Sequence, residues 1–303
     1  MAHPAGTGWA IGHDGAMTVL GAILLPQLPP ERLREAVRAA DDAGLSELWL
    51  WEDCFWGGGI ATATAALSWS SRLRVGVGLL PVPLRNVALA AMELATLYRL
   101  FPGRPVIGVG HGVQDWMAQV DAAVDSPVTL LREYLTALRG LLHGERVSTA
   151  GRYVRLDGVA LDEPPTAAPV LAGVTGPRSL RLSGELADGT ILTAHSPPDR
   201  VRQARRLVDE GRTAAGRTDP HPVVVYLLAA TGAGAADRLA AERRRLGYVE
   251  STGVSGDAHA VADGIHRWVE AGADTVVLQP TLDDPDPEGF VRFVAAEVAP
   301  LLR

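Results

Sequence analysis

The stretch from Pro169 to Leu192 reads PVLAGVTGPRSLRLSGELADGTIL and contains one complete strand–helix–strand unit. The apolar run Pro169–Ala172 predicts a buried strand, and a glycine loop then leads to Pro177, which suits the first position of a helix. The helical stretch Pro177–Leu186 is followed directly by a second apolar run, Gly189–Leu192. Buried apolar runs joined by a helix are typical of parallel strands with crossover connections.

The same alternation continues in both directions along the chain. The sequence predicts eight strands: Val19–Leu25, Glu47–Trp51, Leu73–Leu80, Pro105–Val109, Pro169–Ala172, Gly189–Leu192, Val223–Leu228 and Thr275–Leu278. Predicted helices lie at Pro30–Ala43, Ile60–Ser68, Val87–Leu100, Pro127–Leu142, Pro177–Leu186, Pro198–Ala215, Asp257–Ala271 and Pro287–Leu301. Eight strand–helix units favour a closed α/β TIM barrel, (β/α)₈, of about 250 residues. An open doubly wound sheet is the alternative.

Three segments depart from this alternation. Residues 146–161 alternate polar and apolar side chains around glycines, which predicts a small hairpin inserted before the fifth strand. Residues 232–256 are interpreted as a mobile insert after the seventh strand. Residues 1–16 are interpreted as a flexible leader, and residues 17–303 as a single domain.

Composition excludes several classes of function. The 303 residues carry a net charge of −7 without a block of Lys or Arg, which argues against a nucleic-acid or anionic-membrane partner. With Cys54 as the single cysteine, an intrachain disulfide is impossible and no metal site is predicted. Without a signal peptide or an apolar run of roughly 18 residues, the expected location is the cytoplasm. The metalloprotease, P-loop and nucleophile-elbow motifs are also absent from the sequence.

In a (β/α)₈ barrel the chemistry lies at the carboxyl ends of the strands. After the second strand, residues 51–56 read WEDCFW and precede three glycines. Aromatic side chains beside carboxylates suit a stacking wall for a flat ligand with a group that handles protons, so Glu52 and Asp53 are candidate catalytic residues. The structural alternative is a helix start with acidic caps.

The ends of the third and fourth strands are rich in glycine. Residues 76–86 read GVGLLPVPLRN, where the glycines allow a ligand to approach the backbone closely, although a purely structural role explains most of them. Residues 108–116 read GVGHGVQDW and place His111 at the predicted rim. His111 is a third catalytic candidate, although a lone histidine is more often a packing or surface residue. The match to a dinucleotide fingerprint lacks its third glycine, so a Rossmann site is rejected.

After the fifth strand, residues 173–178 read GVTGPR and lead into a helix. A helix amino terminus with free N–H groups binds phosphate well, and Arg178 would add positive charge. An ordinary strand–helix turn is the alternative. The candidate phosphate-binding residues are Gly173, Val174, Thr175, Gly176, Pro177 and Arg178.

Four segments resemble the luciferase-like monooxygenase superfamily, and most closely its coenzyme F420-dependent oxidoreductase branch. They are Leu48–Trp56, Val75–Asn86 with Ala90–Gly103, Val106–Gly112 and Gly173–Leu192. The last is the most specific, because it matches the pattern G-P-[RK]-x-L-x-L-[AS]-G-x-x-A-D-G. The ending Ala271–Pro280 is also similar to the family's eighth strand.

The resemblance implies a barrel that binds a deazaflavin ring at the carboxyl-terminal mouth and its phosphate at the loop 173–178. It also implies a non-prolyl cis peptide after the third strand, matching the bond Gly78–Leu79. Ring contacts are then expected from Trp56, Gly78, Leu79 and Gly110. Homodimers are common in the family, so a homodimer is expected.

Two positions depart from the family pattern. Deazaflavin members commonly have Asp-His and then Trp after the second strand, where this sequence has Glu52–Trp56 without histidine. Several members also have a glutamate where this sequence has Val113. The usual proton donor is therefore missing, and the basic residues of the sugar-phosphate-oxidising members have no counterpart here.

The leading functional hypothesis is hydride transfer between F420 and a small organic substrate, with Glu52, Asp53 or His111 handling the proton. The alternatives are an FMN-dependent monooxygenase that uses oxygen, and a flavin-binding subunit that has lost its chemistry. The expected substrate pocket is lined by Phe55, Trp56, Trp116, Met117 and residues 232–256. Those side chains favour an apolar or aromatic substrate.

Overall fold

Eight parallel strands form a closed barrel in the computed structural model, which describes residues 18–302. The barrel strands, in spatial order, are β1 (Val19–Ile23), β2 (Glu47–Leu50), β3 (Arg74–Pro81), β4 (Pro105–Gly110), β7 (Val170–Gly173), β8 (Gly189–Leu192), β9 (Val223–Ala230) and β11 (Thr275–Pro280). The ring closes because β11 pairs with β1, and every neighbouring pair is parallel. The predicted TIM barrel and its eight strands are confirmed, and the open sheet is excluded.

Helices fill the intervals between the strands. They are α1 (Leu33–Asp42), α2 (Gly59–Trp69), α3 (Val87–Leu100), α4 (Gln114–Gln119), α5 (Pro127–Leu142), α6 (Pro177–Leu186), α7 (Pro198–Ala214), α8 (Ala235–Leu246), α9 (Ala258–Glu270) and α10 (Pro287–Phe293). The predicted bounds of α3, α5 and α6 are confirmed residue by residue. The predicted last helix is regular only as far as Phe293, after which a π-helical turn and a 3₁₀ turn continue to Leu302.

The predicted insertions have different outcomes. An antiparallel hairpin of β5 (Val147–Ala150) and β6 (Arg155–Val159) lies where the sequence predicted one. Residues 232–256 instead form regular structure, namely α8 and the short strand β10 (Val254–Ser255), which pairs with β9. These two elements were not among the predicted helices and strands, and the mobility expected of this segment stays a prediction. The leader expected over residues 1–16 lies outside the described residues.

The strands are apolar throughout because both of their faces are buried. Along β9, Val223, Val225 and Leu227 pack outward against the helices, whereas Val224 and Tyr226 point into the barrel. The inner layer is filled with large side chains, including the fully buried Trp49. The side chains along the strands are therefore committed to packing on one face or the other. The residues at the strand ends are outside this packing and can form the site.

The amino-terminal ends of the strands carry a network of paired polar side chains. Asp188, just before β8, accepts hydrogen bonds from Arg139 Nη2 at 2.5 Å and from Val170 N at 2.9 Å. Nearby, Ser183, Thr190 and His221 form a buried chain in which Thr190 Oγ1 lies 2.7 Å from Ser183 Oγ and 2.8 Å from His221 Nε2. Burial lowers the pKa of His221 to about 3, so its ring is neutral. We call this region the base of the barrel.

No helix within residues 18–302 combines the length and the apolar character that a bilayer span requires.

Candidate functional site

A cavity of about 690 Å³ opens at the carboxyl-terminal mouth of the barrel. Residues in the last part of each of the eight barrel strands or in the segment after it line the cavity, among them Gln27 after β1, Asp53 after β2, His111 after β4 and Gln279 near the end of β11. Carboxyl ends of parallel strands converge on one side of a barrel, so the fold brings these sequence-distant side chains together.

The floor of the cavity is a bulge in β3 centred on Leu79. The peptide bond Gly78–Leu79 is cis, as the resemblance implied, and the register between β3 and β4 shifts between Val77 and Leu80. The Leu79 side chain packs over Gly110 and Gly173, where an added Cβ would lie 2.6 and 2.4 Å from Leu79 Cδ2. Glycine is required at Gly110, where an added Cβ would also lie 2.6 Å from the backbone oxygen of Gly173, whereas a larger residue at Gly173 would force Leu79 to move.

Tyr226 holds the bulge from inside the barrel. Its hydroxyl donates a hydrogen bond to Gly78 O at 3.2 Å, and a Cβ at Gly78 would lie 1.6 Å from that hydroxyl oxygen. The ring also lies 5.9 Å from the Trp51 ring, centroid to centroid, so the two form an aromatic wall beside the floor. Sequence reasoning missed Tyr226, because it lies within a strand that reads as continuous core.

Trp56 and Trp116 line the cavity, as the sequence predicted, and Trp56 stands at the rim with 60% of its surface exposed. Two other predicted pocket residues do not line it. Phe55 points into solvent beside a second cis bond, Cys54–Phe55, which the sequence did not predict. Met117 is fully buried beneath Gly112. The aromatic part of the predicted pocket is thus provided by tryptophans.

Asp53 is the most perturbed acidic group of the cavity. Burial raises the pKa of its carboxyl to about 6, because the charged form loses its hydration there. Within residues 18–302, its side chain has no hydrogen-bond partner. A carboxyl that titrates near neutral pH and faces a cavity is suited to giving or taking a proton.

Glu52, its neighbour, is held in a different way. Its carboxylate forms a two-pronged ion pair with Arg85, in which Arg85 Nη2 lies 2.7 Å from Glu52 Oε2. The same oxygen accepts a hydrogen bond from Gly59 N, also at 2.7 Å, at the amino terminus of α2. Glu52 lines the cavity but its oxygens are already bound, so its geometry favours a positioning role over proton transfer.

His111 lies at the rim between β4 and α6. Its Nε2 atom is 3.0 Å from Ser179 Oγ in the first turn of α6, and burial lowers the pKa of the ring. The neutral imidazole lines the cavity next to the loop 173–178. His111 therefore joins the two candidate regions that the sequence placed after the fourth and fifth strands.

The first three residues of the loop 173–178 are open to the cavity. Gly173, Val174 and Thr175 line it, Gly176 is the residue before α6, and Pro177 is the first residue of that helix. Arg178 is exposed and does not line the cavity. The loop and the amino terminus of α6 thus present backbone N–H groups at one side of the mouth, which suits an anion.

The segment 232–256 lines the cavity, as the sequence predicted, whereas Gln279 was not found from the sequence. Helix α8 contributes Glu242 and Arg245, Tyr248 follows this helix, and β11 contributes Gln279. A Glu and an Arg three residues apart in α8, and a glutamine at the end of the eighth strand, are visible in the sequence. That these side chains belong to one site becomes visible only in the fold, which brings α8 and β11 to the same cavity.

Three comparisons relate the chain to known proteins. The family model described as luciferase-like monooxygenase matches residues 9–246. A 5,10-methylenetetrahydromethanopterin reductase from Methanolobus tindarius is 27% identical over 205 residues, which is 68% of this chain and 62% of that protein. An F420-dependent glucose-6-phosphate dehydrogenase from Kineococcus radiotolerans is 30% identical over 64% of this chain and 61% of its own length. The chain thus spans less than two thirds of these relatives.

Among solved structures, an F420-dependent secondary alcohol dehydrogenase in complex with an F420-acetone adduct superposes with a TM-score of 0.85. It is 21% identical, and the match covers 95% of this chain and 100% of that one. At this identity the likeness establishes the fold.

Proposed function

The chain belongs to the luciferase-like monooxygenase family, and on that premise we propose that it is an F420-dependent oxidoreductase acting on a small organic substrate. The resemblance that the sequence indicated is confirmed at the level of the family. One observation carries the proposal: a single cavity joins residues 173–175, the first half of the loop 173–178, to the buried carboxyl of Asp53. The names of the relatives support the coenzyme.

The residues present fit a deazaflavin coenzyme. The apolar surface of Leu79 and the Trp51–Tyr226 wall suit a flat ring, and a cavity of about 690 Å³ accommodates one together with a small substrate. Gly173 has no side chain, so Leu79 can pack against it, and the backbone at this position is not covered by a side chain of its own. This loop would bind the coenzyme phosphate.

When bound, the coenzyme supplies a hydride donor or acceptor at C5. The chain contributes binding, orientation and exclusion of water, together with a proton at Asp53. In substrate reduction, Asp53 would give its proton from the carboxyl oxygen to the substrate atom that becomes negative. Its pKa of about 6 keeps the protonated form available near neutral pH. His111, neutral and bound to Ser179, would fix the wall between the loop and the ring.

Titration of the pure protein with F420 and with FMN, followed by fluorescence quenching, tests the proposal. We expect tight binding of F420 and weak binding of FMN. Tight binding of FMN, together with oxygen uptake by the reduced FMN complex, would instead support the monooxygenase alternative. Binding of F420 without turnover on any substrate panel would support the non-catalytic subunit, which the raised pKa of Asp53 argues against.

A negative charge added at the loop sharpens that titration. Thr175 is exposed and lines the cavity, so Thr175→Asp places a carboxylate beside the expected phosphate. We expect F420 affinity to fall on the order of tenfold or more, and affinity for phosphate-free 5-deazariboflavin to stay constant. Thr213→Asp, at an exposed position near the end of α7, is the control for the added charge. Equal F420 affinity in the Thr175 variant would refute the loop as the phosphate site.

A further inference from the structure

The mouth of the barrel has two opposite sectors. Going round the ring, β4 and β7 are neighbours, and the pair formed by β11 and β1 lies four strands away on the far side. The loop 173–178 follows β7, so the proposed coenzyme phosphate occupies the first sector. The second sector, which includes α8 after β9, carries polar groups that the proposed chemistry does not use. We call it the α8 sector, and define it by Glu242, Arg245 and Gln279.

Glu242 and Arg245 form an ion pair at one wall of the cavity. Arg245 Nε donates to Glu242 Oε2 at 2.9 Å, and Arg245 Nη2 donates to Glu242 Oε1 at 2.6 Å. Glu242 is 6% exposed, so its position is fixed by packing, whereas half of the Arg245 side chain is open. The buried carboxylate therefore holds the guanidinium in one orientation.

This pairing uses one edge of the Arg245 guanidinium and leaves a second edge free. The Nε and Nη2 atoms form the side edge that Glu242 occupies. Within the described part of the chain, Nη1 of Arg245 has no hydrogen-bond partner, so the fork of Nη1 and Nη2 remains available at the cavity. A guanidinium fork matches the two oxygens of a carboxylate.

Gln279 is a second, independent polar group of this sector. Its residue is 7% exposed, yet its side-chain amide has no hydrogen-bond partner among residues 18–302. Gln279 lines the cavity and its amide atoms are not completely buried, so a ligand in the cavity can reach the amide N–H and C=O groups. Apolar surface from Leu246 and Leu282 lies in the same lining.

From these contacts we propose that the α8 sector binds a carboxylate group of the organic substrate, with Arg245 as the charged partner and Gln279 as the neutral donor. Glu242 is a positioning residue, because it acts through Arg245. The inference rests on the proposed function and names its substrate class: an apolar or aromatic molecule that carries a carboxylate. The aromatic walls at Trp51 and Tyr248 suit the apolar part.

Benzoate and benzyl alcohol are a matched pair of probes for this site, since both carry one aromatic ring and only benzoate is charged. Their dissociation constants are measured by calorimetry with the F420-loaded protein and, separately, with the protein alone. We expect the wild type to bind benzoate on the order of tenfold more tightly than benzyl alcohol. Arg245→Met should abolish this preference, and Arg245→Lys should lose most of it because lysine has no fork.

Arg244→Met is the matched control, because Arg244 is exposed on the same helix outside the cavity lining. That variant should keep the preference for benzoate. A wild type that binds the two probes equally, or an Arg245→Met protein that still prefers benzoate, would overturn the inference. Loss of F420 binding is read from the separate quenching titration and counts against the proposed function, not against the carboxylate site.

Discussion

At the base of the barrel, Asp188 accepts hydrogen bonds from two arginines and a backbone N–H, whereas at the mouth the carboxyl of Asp53 has no partner among the described residues. Both groups end up at strand termini, and the same fold places them. The difference lies in what surrounds them. Paired charges at the base stabilise the ring, while the mouth keeps polar groups unsatisfied so that a ligand can use them.

The contrast extends to how the two ends respond to pH. His221 at the base is buried with a pKa lowered to about 3, and Asp53 at the mouth has a pKa raised to about 6. In both groups burial shifts the pKa in the direction that favours the neutral form. The two groups therefore make stability change in opposite directions with pH, which allows base and mouth to be separated in one experiment.

The largest expected effect is on turnover. Asp53→Asn should lower the rate of hydride transfer with F420 on the order of 10²-fold, because it removes the proton while keeping the shape of the side chain. Turnover of the wild type in the direction of substrate reduction should fall as pH rises through about 6, since the carboxyl then loses its proton. The measurement is kcat against pH with the best wild-type substrate. Asp115→Asn, exposed near the mouth, is the control.

Removing a carboxylate from the base should act on stability instead. Asp188→Ala leaves Arg139 and Arg217 without a shared partner and removes a hydrogen bond to Val170 N, so we expect a loss of about 3 kcal/mol in the free energy of unfolding. Urea denaturation measures it. Asp199→Ala, which breaks an exposed pair, should change little. A loss no larger than in that control would contradict the contrast between the two ends.

Acid sensitivity should trace to the base. An unfolded histidine takes up a proton as pH falls through about 6.5, while folded His221 stays neutral down to about 3, so the wild type loses stability across this window. His221→Gln should remove about 2 kcal/mol of that loss between pH 7 and pH 5. Urea midpoints at the two pH values check it, with the exposed His143→Gln as control. Identical pH slopes in all three proteins would refute the assignment.

The smallest effect has the opposite sign. Between the usual aspartate pKa of 3.8 and the raised value of about 6, the folded protein binds more protons than the unfolded chain, so Asp53 lowers stability as pH rises. Above pH 6 this cost stays constant. Asp53→Asn should therefore be more stable than the wild type at pH 8, on the order of 1 kcal/mol, and equal to it at pH 4. A variant less stable at pH 8 would show that the carboxylate has a partner.

The barrel was predictable because each of its strands is buried on both faces and so appears as a short apolar run between glycines or prolines. The loop 173–178 was predictable for the same reason, since it is local in sequence and follows one of those runs. The predicted cis bond Gly78–Leu79 came from the family resemblance. Local patterns and a family motif were enough for these features.

The side-chain partnerships were not predictable. Glu52 looks like a free acid in the sequence, and only the fold brings Arg85, 33 positions away, against it. Arg245 and Gln279 come from different elements and meet at the cavity because β9 and β11 are neighbours. Helix α8 was interpreted as part of a mobile insert with a helix start at Ala235, and its full extent was not predicted because its apolar face is narrow and its arginines dominate the sequence. Nonlocal pairing decides these roles.

Helix α8 is bounded by Gly234 and Gly247, which both have a left-handed backbone, at φ 69° and 67°. Such glycines let the chain leave and rejoin the barrel sharply without shifting β9 or β10. The segment between these two glycines therefore forms an exchangeable unit, or cassette. It can be replaced while the strands and the loop 173–178 stay unchanged. New substrate preferences for this scaffold should arise by grafting that one cassette rather than by rebuilding the barrel.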